Sequence, residues 1–100
     1  MVDGAGQPTA AHVILSPRLV RQLAAPSSTL RAFLEREDSA IVVYVGGEVD
    51  ACNESTWRCL LGEAASAVAP GAVLIVDLTG LKFISCGALE ILTKQFHWCR

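Results

Sequence analysis

Ser85, Cys86 and Gly87 follow the apolar run Val73-Leu74-Ile75-Val76, which is closed by Asp77 and a glycine-containing loop. A helix that opens on such small residues leaves its first amide groups uncovered, with the partial positive charge of a helix N-terminus. That mouth suits a regulated side chain, a phosphate or a partner carboxylate. Ser85 can cap the helix with its hydroxyl, and the same hydroxyl can accept a phosphoryl group. Cys86 is either a small packing residue or a thiol acidified by the helix mouth and able to react. No cation adjoins it in sequence, which favours packing. Upstream, Gly47-Glu48-Val49-Asp50 ends in an acid that can cap the Ala51-Cys52-Asn53 entry to a helix. Asn53 reads as an N-cap, and Asp77 as a structural acid that bonds the amides of the Thr79-Gly80 loop.

Other chemistry is thinly provided. Cys52, Cys59, Cys86 and Cys99 match no zinc spacing, and the two histidines, His12 and His97, sit at opposite ends of the chain. No serine has a neighbouring histidine and acid, and no glycine-rich phosphate loop carries a lysine, so the reading is a non-enzyme without metal or cofactor. His97 and Trp98, near the end of the last helix, support no ligand role. The 100 residues are 52% apolar and suffice for one domain. Eight basic and ten acidic residues leave a net charge of −2, without a basic stripe for nucleic acid. No apolar run is long enough to span a bilayer, and the N-terminus lacks signal-peptide features, which points to the cytoplasm.

These residues need elements to position them. Residues 1–29 read as an N-terminal extension or linker, with Gly4, Gly6, Pro8 and the Ala24-Ala25-Pro26-Ser27-Ser28 stretch. Within it, His12-Val13-Ile14-Leu15 could add an edge strand, and Ser16-Pro17 could start a short helix through Leu19, Val20 and Leu23. A first strand is expected over residues 30–36, with a turn at Asp38-Ser39. A central strand follows over residues 40–45, broken by Gly46-Gly47. Trp57, Leu60, Leu61, Ala64, Ala65 and Val68 mark the inner face of a helix stopped by Pro70-Gly71. A third strand over residues 72–78 should be apolar on both faces, before Phe83-Ile84 re-enters the core. A second helix then sets Leu89, Leu92, Phe96 and Cys99 on one stripe. Strand, helix and strand at this spacing form a right-handed βαβ unit with parallel strands. Both carboxyl ends then point one way, which sets the Glu48 to Asp50 loop beside the Phe83 to Gly87 loop.

The combination of the Gly-Glu-Val-Asp run with residues 73–92 resembles the STAS domain of bacterial anti-sigma factor antagonists. The family loop reads aspartate-serine-serine-glycine-leucine after a hydrophobic pair; here it reads Phe83-Ile84-Ser85-Cys86-Gly87-Ala88-Leu89. Ser85 falls on the family aspartate and Cys86 on the phosphorylated serine. The resemblance covers residues 30–100, the N-terminal two-thirds of such a domain, and implies a C-terminally truncated α/β fold. Its mixed sheet would have parallel central strands and helices on one side. It further implies binding to an anti-sigma factor of histidine-kinase-like ATPase fold, thereby releasing a sigma factor, without the usual serine switch. The regulatory surface would comprise Asp50, Asn53, Ser85, Cys86 and Gly87. The alternative is a STAS module that senses a nucleotide or small ligand.

Among the thiols, Cys52 and Cys86 lie on adjacent loops and form the candidate redox pair. Cys52 and Cys59 are separated by roughly 10 Å of helix, and Cys86 and Cys99 by roughly 20 Å. A disulfide needs Cα atoms within about 7 Å.

Overall fold

A computed structural model describes residues 15–37 and 39–96. The expected strand at His12-Val13-Ile14, the turn residue Asp38, and His97, Trp98 and Cys99 lie outside the described residues, as does the side chain of Phe96. Helix α1 spans Pro17–Ala24, β1 Leu30–Glu37 and β2 Ala40–Val49. A 3-10 turn at Ala51–Asn53 leads into α2, Glu54–Ala67; β3, Val73–Ile84, and α3, Cys86–Phe96, complete the order.

The described strands form one sheet in the order β1-β2-β3. β1 pairs antiparallel to β2, from Leu30 opposite Gly47 to Glu37 opposite Ala40. β3 pairs parallel to β2, from Val73 beside Ala40 to Ile84 beside Val49. The expected mixed sheet with a parallel βαβ pair is therefore present, with β2 in the centre. The helices cover one face. Ile41, Val43, Val45, Leu30 and Leu34 point into a core shared with Trp57, Leu60, Leu61 and Ala64 of α2. Their period of two along the strands and of three to four along the helix is what brings two apolar surfaces together.

Several expectations change. Gly46-Gly47 does not break β2, and β3 does not stop at Leu78; both run on, with register shifts between Tyr44 and Gly46 and between Gly47 and Glu48. The glycines serve a bulge: a Cβ on Gly80 would stand 2.9 Å from the Val45 carbonyl oxygen, so the strands meet where side chains are missing. Gly47 sits at φ 86°, and a Cβ there would collide with the Thr29 carbonyl.

The outer face of β3 is not buried. Val73 is 53% exposed, Ile75 46% and Phe83 53%, and within the Phe83-Ile84 pair only Ile84 packs against the core. Helix α3 also turns differently from its expected stripe. Ala88 is buried, Ile91 and Leu92 pack inward, and Leu89 is 47% exposed.

Residues 15–24 contribute to the same core. Ser16 caps α1, accepting from the Leu19 N–H, and both its amide and its hydroxyl donate to the Glu63 carboxylate of α2 at 2.7 and 2.9 Å. Leu15, Leu19 and Leu23 are buried against the sheet and α2.

Candidate functional site

At the carboxyl end of the parallel pair, Glu48 stands beside Phe83 and Val49 beside Ile84. The Ser85 N–H donates to the Val49 carbonyl at 2.8 Å, which extends the ladder by one bond into the second loop. The loop after β2 and the loop after β3 are thus adjacent, as the βαβ geometry requires.

The first loop is a closed local unit. Asp50 Oδ1 accepts from the Cys52 N–H at 2.9 Å, and Asn53 Oδ1 accepts from the Asp50 N–H at 2.9 Å. This reciprocal pair is a capping box around the 3-10 turn. Asp50 is therefore the turn acid expected. Asn53 is not the side-chain cap of α2; its Nδ2 instead donates to Thr29 Oγ1 and to the Glu48 carbonyl, both at 3.0 Å. The interposed turn takes the side chain backwards, pinning the start of β1 to the end of β2.

The second loop is built on Ser85. Its Oγ accepts from the Ala88 N–H at 3.1 Å, and its carbonyl accepts from the Leu89 N–H at 2.9 Å, so Ser85 caps α3. The same hydroxyl donates to Glu54 Oε2 at 3.0 Å. Glu54 lies in the first turn of α2, and its carboxylate reaches over Gly87, where an added Cβ would lie 2.6 Å from Oε2. The mouth of α3 is therefore covered by a carboxylate of this chain, in the field where an anion is favoured. Glu54 was not among the residues singled out by sequence. The signal available was an acid in the first turn of a helix whose loop abuts another helix mouth. Trp57, one turn further on, donates its Nε1–H to the Ala88 carbonyl at 2.9 Å in the buried interior, locking α2 to α3.

Cys52 and Cys86 are free and exposed, as is Cys59. Asp77 takes its expected structural role: Oδ1 accepts from the Thr79 N–H and hydroxyl, and these bonds hold its carboxyl below the usual range. Hollows of about 290, 230 and 220 Å³ are lined by residues away from both loops, such as Arg36 and Pro70, Leu23 and Phe33, or Arg58 and Ile91. No group of three or more potential metal ligands occurs among the described residues, and no described helix is long and apolar enough to cross a membrane.

Comparison with known proteins agrees with this architecture. A family model described as STAS domain matches residues 32–100. A Mycobacterium tuberculosis protein with the provisional name anti-anti-sigma factor Rv2638 is 46% identical over 86 residues, covering 86% of this chain and 58% of the relative. The protein named anti-sigma-F factor antagonist RsfA, also from Mycobacterium tuberculosis, is 39% identical over 74 residues, covering 74% of this chain and 58% of its own length. The chain thus spans less than two-thirds of these curated relatives. The crystal structure of an anti-sigma factor antagonist from Mycobacterium paratuberculosis superimposes with a TM-score of 0.62 at 28% identity, over 76% of this chain and 62% of that one.

Proposed function

Because the chain belongs to the STAS domain family, we propose that it acts as an anti-sigma factor antagonist, binding an anti-sigma factor and so freeing a sigma factor for transcription. The observation that carries this reading is the joined pair of loops, in which Ser85 bonds both Val49 and Glu54 and holds Asp50, Asn53 and the α3 mouth at one end of the sheet. The names of the relatives support it. The role is that of a binding protein in the cytoplasm, and its partner is an anti-sigma factor of histidine-kinase-like ATPase fold. A nucleotide-sensing role is disfavoured, because the Glu54 carboxylate at the mouth repels a phosphate.

Cys86 stands where the family carries its phosphorylated serine. A kinase that phosphorylates hydroxyls does not act on a thiol, so the usual off-switch is absent and control falls on Ser85 or on the exposed thiols of Cys52 and Cys86. Phosphate on Ser85 would face Glu54 at hydrogen-bonding distance, and like-charge repulsion would part the two loops. The test is capture from lysate with immobilised protein, followed by affinity measurement with the captured ATPase-fold protein. The expected result is recovery of that partner and weaker binding by Cys86→Glu, whose added charge crowds the surface while the helix dipole still tolerates it. Equal affinity of the two proteins removes this surface from the interface.

A further inference from the structure

The side of the sheet away from the helices carries an apolar strip with an acidic border. Phe33 of β1 pairs with Tyr44 of β2, their rings 5.9 Å apart, and Ile75 and Val73 of β3 extend the strip across Val42 and Ala40. Phe33 is 60% exposed, and Val73 and Ile75 are about half exposed. Glu35 and Glu37 follow Phe33 on the same face along β1, and Asp77 closes the β3 side beside Tyr44. The Glu35 carboxylate accepts from the Tyr44 hydroxyl at 3.0 Å, which fixes one acid at the margin of the strip. Along the strands beyond Phe33, Arg31 and Glu48 offset one another in charge.

We infer that this open sheet face is a second docking surface, and that its occupant is a protein segment with an apolar face flanked by lysines or arginines. Charge decides among the occupants that the apolar strip alone would admit. A second copy of the face would set Glu35, Glu37 and Asp77 against the same acids. Residues 1–14 carry no lysine or arginine, so they cannot complement the border. An anionic lipid surface or a nucleic acid is repelled by it. A basic amphipathic segment satisfies both features, with apolar side chains on Phe33 and Ile75 and cations on the border. The face lies off the α3 mouth, so a protein bound there leaves Ser85 and Cys86 accessible.

The probe is a synthetic amphipathic helix with leucine and phenylalanine on one face and flanking lysines, added to the isotopically labelled chain. The expected result is chemical-shift change concentrated at Phe33, Tyr44, Val73 and Ile75, with affinity that falls as salt is raised. Ile75→Lys should weaken binding about tenfold while keeping the native spectrum. Phe33→Ser, at the most exposed position of the strip, is the second variant should Ile75→Lys fail to fold. Shift changes at Ser85 and Cys86 instead, equal binding of a peptide with glutamates replacing the lysines, or binding to phosphatidylglycerol vesicles would overturn the inference. So would a dimer of the chain alone that Phe33→Ser dissolves.

Discussion

Glu54 and Gly87 illustrate how a single residue pair sets the chemistry of the helix mouth. Gly87→Ala gains helix propensity of up to about 1 kcal/mol, but the new methyl group displaces the Glu54 carboxylate and costs its bond with Ser85, about 0.5–1.5 kcal/mol. The expected outcome is near-neutral stability for Gly87→Ala alone, and a gain of about 0.5–1 kcal/mol when it is made on Glu54→Ala. Urea denaturation of the four proteins in the cycle measures this; strict additivity would show that the two residues do not interact. Tyr44 offers a second residue-scale test, since it is the one tyrosine of the chain. Its phenol is held above the ordinary value first by its hydrogen bond to Glu35, then by desolvation and by the charges of Glu35, Glu37 and Asp77. A raised folded value means that its contribution to stability is complete below the ordinary phenol range and is lost as pH rises through the folded value. Ultraviolet titration should find Tyr44 ionising late, and Glu35→Gln should bring the transition down.

At the scale of elements, the joint between α2 and α3 rests on Trp57. Its ring is fully buried and its Nε1–H satisfies the Ala88 carbonyl. Trp57→Phe keeps much of the apolar contact but removes the indole bond to a carbonyl that otherwise has only its helix-ladder partner, at a cost of about 0.5–1.5 kcal/mol. Thermal melting checks the value, and faster amide exchange around Ala88 should accompany it; unchanged exchange at α3 would separate the tryptophan from the helix joint. This bond also accounts for the phase of α3. The leucine spacing alone favours a rotation that buries Leu89 with Leu92, but Ser85 at the cap and Trp57 at Ala88 select the one in which Ile91 and Leu92 face inward and Leu89 outward.

For the whole molecule, the core is built from both ends of the described chain. Leu19 of α1 is 2% exposed, and Ser16 ties that helix to Glu63 in the middle of α2. Leu19→Ala should cost about 2–5 kcal/mol by chemical denaturation, the range for a leucine in a closed core. A cost within a few tenths would mark residues 15–24 as an appendage. Composition could not reveal this docking, because a short helix between proline- and serine-containing stretches looks the same whether it packs or dangles. Its cap, by contrast, was legible from Ser16-Pro17 alone.

Features generated by neighbouring residues were determined by the sequence itself. The apolar runs and their spacing imply the parallel pair and the adjacency of the two loops, Ser85 caps its helix, Asp50 closes its turn, and Asp77 binds Thr79. Each depends on contacts within a few residues or on the fixed hand of a βαβ crossover. Tertiary structure alone decided that Glu54 reaches Ser85, 31 positions away, and that the glycines of β2 and β3 bulge rather than break their strands. It also decided which side of β3 stays open. These outcomes depend on register and on the rotation of packed helices, which distant side chains settle together and no local pattern encodes.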